Sequence, residues 1–398
     1  MEARVHVAGI GVISAIGNSV SGTLQSFRQH RSGIGPITHL DTIHKNILPV
    51  GEVRASDEEL SDIVKFKKVT RTALLGIYAA KEAVKDSKID LKSWRTGLIS
   101  ATTVGGMDRT EKFFDAFLKD PGKGRLRDVV NHECGRSTAL IADALDVDGF
   151  VSTIDTACSS SVNSIIFATR LIRQGMLDVV IAGGTDALTR FTINGFNSLM
   201  ILDSEPCRPF DASRNGLNLG EGAGFLVLVS DEVAKCEQLT QTCYVSGFAN
   251  TNDAFHQTAS SPEGRGSFAA MQQSLEMGGL KTTDIDYINL HGTGTVNNDQ
   301  SEGTAILRLF DNKIPRISST KSFTGHTLGA CGGIEAVFSV MAIQEGCVFP
   351  NLRFNQSMQD MNALIPQMEF QEDLDVQHVM SNSFGFGGNC SSIIFSKR

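Results

Sequence analysis

The chain echoes itself, and that repetition limits the folds open to it more than any single motif does. The apolar segment ending Phe167…Ile172-Arg173-Gln174-Gly175 returns at the same internal spacing as Phe338…Ile343-Gln344-Glu345-Gly346. Val7-x-Gly9 in the opening apolar run returns as Val245-x-Gly247. Gly220-x-Gly222 before the run Leu226 to Val229 is echoed by Gly385-x-Gly387 before Ser392 to Phe395. Apolar periodicity and glycine placement predict an α/β chain of two pseudo-symmetric halves, 1–238 and 239–398. The seam falls near residues 231–243, where Asp231-Glu232-Val233-Ala234-Lys235 closes one half and Tyr244 opens the next strand.

Composition agrees with a large packed core. Of 398 residues 41% are hydrophobic and 20% charged, so two closely packed halves are expected. No unbroken apolar run is long enough to span a bilayer, and Met1-Glu2-Ala3-Arg4-Val5 reads as the start of a strand instead of a signal peptide, so a cytoplasmic protein without membrane insertion is expected. Eight cysteines occur without a C-x-x-C pair, which predicts free thiols and no structural zinc. No two histidines are spaced for one helix face, so no helix-borne metal site is expected. A net charge of −8 argues against nucleic acid as a partner.

Four segments carry chemistry. Cys158 in Thr156-Ala157-Cys158-Ser159-Ser160 follows the strand-like run Phe150 to Ile154 and precedes a helix bearing Val162, Ile165, Ile166 and Leu171. A thiol at a helix N-terminus is drawn toward the thiolate by unpaired N–H groups and the peptide dipoles. His291-Gly292-Thr293-Gly294-Thr295 follows Ile285, Tyr287 and Leu290 and lies at a strand exit. Ser319-Thr320-Lys321-Ser322-Phe323-Thr324-Gly325-His326 offers a lysine and a second histidine, and Asn382-Ser383-Phe384-Gly385-Phe386-Gly387-Gly388-Asn389 can aim backbone N–H groups at one point. Gly220-x-Gly222-x-Gly224 leads into a strand, not a helix, which argues against a phosphate loop.

These segments together resemble the elongating β-ketoacyl-acyl-carrier-protein synthases, with Val7-Ala8-Gly9-Ile10-Gly11, Arg208-Pro209-Phe210-Asp211 and Gly220-Glu221-Gly222-Ala223-Gly224 as further landmarks in the same order. The resemblance implies the thiolase fold, an α/β architecture of five layers, αβαβα, usually dimeric through a central strand. It implies Cys158 as the acyl-carrying nucleophile, His291 and His326 as donors to an enolate, and Lys321 paired with Glu335 in an electrostatic role. The N–H groups of Cys158 and Phe386 would form the oxyanion hole, with Phe386 also gating the acyl pocket and Thr293, Thr295 and Phe384 supporting. A cysteine suits acyl transfer because its thioester stays reactive, and neutral imidazoles suit an enolate oxygen.

The implied reaction is decarboxylative Claisen condensation of an acyl chain with malonyl-acyl carrier protein, as in fatty-acid elongation, with no cofactor. A structural monovalent cation near Asn382 and Ser383 is compatible with the resemblance. The implied partners are acyl carrier protein and a second copy of the chain, or a chain-length partner in a heterodimer. Because a carrier protein is acidic, Lys65, Lys67, Lys68 and Arg71, placed at the start of a helix running to about Ser87, are the first docking candidates. Lys123, Arg125, Arg127 and Arg208 are the second. Gly294, Val296, Gln300-Ser301-Glu302-Gly303 and Asn389-Cys390 depart from the common fatty-acid pattern, which keeps a polyene, aryl polyene or polyketide pathway as the alternative. A thiolase is disfavoured because Cys390 is not in that family's cysteine motif. An initiating enzyme is disfavoured by His326, and a non-catalytic chain-length partner by the presence of Cys158.

Overall fold

The computed structural model describes residues 4–239, 243–311 and 313–398. Residues 1–3 of the expected opening strand and 240–242 of the expected seam lie outside them. Ten strands build the main sheet: β1 (Val5–Ser14), β2 (Thr96–Ala101), β3 (Phe150–Ile154), β4 (Val179–Asp186), β5 (Gly222–Ser230), β6 (Cys243–Asn252), β7 (Tyr287–Asn289), β8 (Arg316–Ser318), β9 (His378–Phe384) and β10 (Asn389–Lys397). Their order is β8-β7-β9-β10-β6-β1-β5-β4-β2-β3. Read outward from the centre, β1-β5-β4-β2-β3 mirrors β6-β10-β9-β7-β8, with the same parallel and antiparallel pairings in each half. The halves meet where His6 and Val7 of β1 pair with Tyr244 and Cys243 of β6.

The repetition extends to an irregularity. The β1–β5 ladder slips between Val7 and Gly9, and the β6–β10 ladder slips between Ile394 and Phe395, which face Gly247 and Val245. A Cβ on Gly9 would lie 2.3 Å from Ala83 O, and one on Gly247 would lie 2.1 Å from Ser274 O, so both glycines let a helix backbone approach its strand. The register corrects one expected correspondence. Gly222 faces Ser14 as Asn389 faces Asn252, so the counterpart of Gly222 is Asn389, not Gly387.

Six helices make the other layers: α1 (Arg71–Ser87), α2 (Cys134–Leu145), α3 (Ser160–Arg173), α4 (Arg265–Gly278), α5 (Val296–Phe310) and α6 (Cys331–Glu345). On α1 the buried residues include Leu74, Leu75, Ile77 and Ala80, and they pack with α2 on the outer face of the first half. In the second half α4 and α5 pair in the same way. On α6 every residue from Cys331 to Ile343 is buried, so it has no solvent face and can only be an inner layer. It lies with α3 in the largest core cluster, between the two halves of the sheet. The result is the αβαβα layering of the thiolase fold. Among the described residues no helix is long and apolar enough to cross a membrane.

Candidate active site

The inner helices α3 and α6 each begin just after a strand, and the two connections deliver the site. In the first half the connection from β3 to α3 is short. Ala157 takes a left-handed φ of 54°, which turns the chain and places Cys158 just ahead of Ser160, the first residue of α3. Two hydrogen bonds fix the turn: Thr156 N donates to Ser160 Oγ at 2.8 Å, and Ser159 Oγ donates to Asn389 Oδ1 at 2.6 Å. Asn389 Oδ1 also accepts from Asn163 Nδ2 and Asn250 Nδ2, so one side chain of β10 ties the cysteine loop to the other half.

In the second half the connection from β8 to α6 is longer and carries both Lys321 and His326. His326 Nε2 lies 3.2 Å from Cys158 Sγ, and its Nδ1 accepts the Leu328 N–H at 3.1 Å. The neutral ring that accepts at Nδ1 carries its proton on Nε2, facing the sulfur. His291, from the loop after β7, has its Nδ1 3.4 Å from Lys321 Nζ, so its Nε2 likewise carries the proton. Lys321 donates to Glu335 Oε1 at 2.5 Å. The imidazole rings are 5.4 Å apart and nearly perpendicular, and Phe384 packs 5.9 Å from His291.

Burial sets the protonation states. It lowers both histidines well below the ordinary imidazole range, and the Lys321 ammonium adds to the effect, so both rings are neutral at pH 7. Burial works against the Lys321 charge, but Glu335, with Cys331 and Glu302, outweighs it and raises the ammonium above its ordinary range. The thiol departs from the sequence expectation. Burial pushes Cys158 up to about 11, while Lys321 and the N–H groups of Phe386 and Cys158 pull it down only in part. The helix start is where the sequence puts it, but loss of water outweighs the helix, and the resting group is a thiol.

Cys158, His291 and His326 bring their ligand atoms within 4.8 Å of one another, a donor set that elsewhere takes zinc. The surrounding groups do not fit a metal. A metal-bound imidazole normally gives its other N–H to an acceptor, whereas each Nδ1 here receives a hydrogen bond from a donor. The geometry suits a pair of proton donors. Asn382 Oδ1 and Ser383 Oγ are buried without a hydrogen-bond partner, and oxygens of this kind suit a hard cation.

Three acidic or aromatic groups escaped the sequence reading. Glu302 accepts the His291 and Gly292 N–H groups at 2.9 and 2.8 Å, and burial raises it to about 7. Asp186, at the end of β4, gathers Thr102, Thr103, Val104 and the Gly329 N–H beyond His326, and burial raises it to about 6. An acid closing a buried, glycine-rich strand was its only sequence signal. Phe196 stacks on Phe386 with centroids 5.7 Å apart and planes 17° apart. With Cys158, both histidines, Thr293, Thr295 and Phe384, these two rings line a cavity of about 270 Å³.

The docking candidates divide. Lys65, Lys67 and Lys68 are exposed, but they precede α1, and Lys65 caps the helix over Asp57–Val64. Arg71 is not a docking residue. It is buried against Glu221 and Asp57 and donates to the carbonyls of Val53 and Ala55. Arg208 is only partly exposed, with Nη2 3.5 Å from the buried Asp203. In the second patch Lys123, Arg125 and Arg127 are all exposed, Lys123 and Arg125 in surface pairs with Asp120 and Asp128.

Residues 2–234 match the family model "Beta-ketoacyl synthase, N-terminal domain", and residues 242–355 match "Beta-ketoacyl synthase, C-terminal domain". The chain is 35% identical over 408 residues to a Staphylococcus aureus protein named 3-oxoacyl-[acyl-carrier-protein] synthase 2, covering 99% of this chain and 98% of that protein. Among solved structures, the ishigamide ketosynthase/chain length factor superposes with a TM-score of 0.92 at 30% identity, covering 100% and 99% of the two chains. The ketosynthase ApeO in complex with its chain length factor ApeC, from Xenorhabdus doucetiae, gives 0.87 at 30% identity, covering 100% and 98%.

Proposed function

The chain belongs to the β-ketoacyl synthase family, and from that premise we propose that it elongates an acyl chain held on Cys158 by decarboxylative condensation with malonyl-acyl carrier protein. It is an acyl-transferring condensing enzyme; the substrate, the pathway and the residue roles are the proposal. The observation that carries it is the contact of 3.2 Å between Cys158 Sγ and a neutral His326, with His291 in the same cluster and Lys321 behind it.

In the first step Sγ attacks the acyl thioester carbon, the carrier thiol leaves with the proton, and the intermediate oxyanion rests on the N–H groups of Cys158 and Phe386. In the second, the malonyl C–C bond to the carboxylate breaks, CO₂ leaves, and the electron pair forms an enolate. Its oxygen accepts from the Nε2–H groups of His291 and His326. The enolate carbon then attacks the acyl–Cys158 carbon, the C–S bond breaks, and the thiolate takes a proton back from solvent. Neutral histidines are required because they must donate without drawing the enolate into full proton transfer. Lys321 fixes the tautomer of His291 and lowers both ring pKa values, which is an electrostatic role.

Housekeeping elongation is the reading that the 35% identity over nearly the whole chain supports best. A specialised polyene or polyketide pathway is the second, supported by the likeness to ketosynthases whose structures are solved with chain length factors and by two parallel phenylalanine rings beside the thiol, a surface suited to a flat conjugated chain. Exposed Lys65, Lys67 and Lys68 remain the proposed carrier dock. The exposed edge strand β3, with Phe150 and Val151 38% and 40% exposed, supports pairing with a second copy or a chain-length partner. The division at 238/239 into a cysteine-bearing and a histidine-bearing half, a cytoplasmic location, and a structural monovalent cation held by Asn382 and Ser383 belong to the same proposal.

The test is intact-protein mass spectrometry with saturated, unsaturated and aryl-unsaturated acyl carriers, followed by malonyl carrier, with C158A as control. Loading and extension of saturated chains supports elongation. Exclusive use of unsaturated chains supports the second reading, and no adduct on Cys158 in the isolated chain or beside a chain-length partner sinks both.

A further inference from the structure

Arg71 spends all five of its N–H donors inside the protein. Nε and Nη2 grip Glu221 at 2.9 and 2.6 Å, Nη2 also reaches Val53 O at 2.9 Å, and Nη1 reaches Ala55 O at 3.1 Å and Asp57 at 2.9 Å. Glu221 in turn accepts the N–H groups of Val53 at 3.0 Å and Leu188 at 3.1 Å. Burial works against the Arg71 charge, yet Glu221 and Asp57 raise the guanidinium above its ordinary range.

The backbone beside Glu221 leads to the site. His326 N donates to Asn218 O at 2.7 Å, and Gly220 N donates to His326 O at 2.9 Å, so one edge of the segment 218–221 holds both the N–H and the carbonyl of the histidine. On its other edge the same segment pairs with Gly51, through Gly51 N to Leu219 O at 2.8 Å and Glu221 N to Gly51 O at 2.9 Å. No slack exists between these backbones: a Cβ on Gly51 or Gly220 would lie 1.9 or 2.3 Å from Thr324 O. A close-packed layer of this kind transmits strain from one segment to the next.

We propose that Arg71 and Glu221 are a positioning pair for His326, setting the register of the segment 218–221 and through it the placement of Nε2 against Cys158 Sγ. The proposal rests on the catalytic role given above to His326. Neither residue touches the reacting atoms.

The experiment compares R71M, R71K, E221Q and H326A in the full-length protein. It reads Cys158 acylation by acyl carrier, kcat and KM for malonyl carrier, the melting temperature, and the pH dependence of Cys158 alkylation by iodoacetamide. In R71M and E221Q kcat should fall about ten- to a hundredfold with KM within about twofold, since a displacement near 1 Å is enough for that loss. The alkylation profile should move to higher pH, because the Nε2–H no longer faces the sulfur. R71K keeps the charge but not the fork, so it should recover melting temperature more than kcat. Where R71M does not fold, R71K decides. Folded variants with parental kcat and a parental alkylation profile overturn the proposal alone, whereas parental condensation by H326A overturns its premise and the catalytic reading together.

Discussion

The two halves make the same connection and use it differently. In one, the short connection from β3 to α3 pins Cys158 at the start of an inner helix; in the other, the longer connection from β8 to α6 lets His326 reach the same sulfur. The strand ends beside them trade services. Asp186, closing β4 of the first half, takes the N–H of Gly329 in the histidine connection. Gly385, just past β9 of the second, lies so close to the cysteine loop that a Cβ would sit 3.1 Å from Cys158 N. Each half therefore positions the other's reactive group. A repeated scaffold gains chemistry where its halves differ, in connection length and in which strand end carries an acid.

The sharpest way to break this comparison is to remove what one connection supplies. C158A should lose condensation by about a thousandfold or more, measured as β-ketoacyl product. A C158Q variant, which mimics an acyl group, should keep or raise malonyl decarboxylation without product, showing that the second connection works alone. H326A should lower condensation by about a hundred- to a thousandfold and Cys158 loading much less, because one donor to a developing oxyanion carries that much. Loss of loading with intact decarboxylation would reverse the roles of the two connections.

The strand ends sharpen the comparison at smaller cost. G385A should slow loading by about tenfold with little change in melting temperature, since the neighbouring loop must shift by a few tenths of an ångström. D186N should instead lower stability by about 2 kcal/mol and weaken decarboxylation, because its several buried donors lose a charged acceptor. Equal effects of both on loading would mean that the ends do not serve opposite halves. Smallest should be K65E/K68E, with KM for the carrier raised several-fold and the rise shrinking in high salt. An unchanged KM would move the dock away from these lysines.

Much of this was legible in the chain. Cys158, His291, Lys321 and His326 stand beside strand exits and helix starts that apolar runs mark, and the paired V-x-G motifs lie at matching ladder slips. Glu302, Asp186 and Asn389 were not legible as site residues, because each acts on backbone or side chains far away in sequence and has no periodic signature of its own. Arg71 was misread for the same reason. In the chain it adjoins exposed lysines, and only the fold shows Glu221 opposite it. The glycine pairing failed because glycines recur easily by chance, whereas ladder register is fixed by every residue in the strand.

By itself the sequence determined the α/β alternation around its motifs, the twofold repeat and which thiol, lysine and imidazoles stand at strand exits and helix starts, since these follow from local periodicity and from residue type. Tertiary structure alone decided which connections face each other, which cations are buried, and that Cys158 rests as a thiol, pushed up to about 11, beside two neutral histidines. The physical reason is that a group's solvation and its nearest charges depend on what packs over it, and at this site those neighbours come from the other half of the chain.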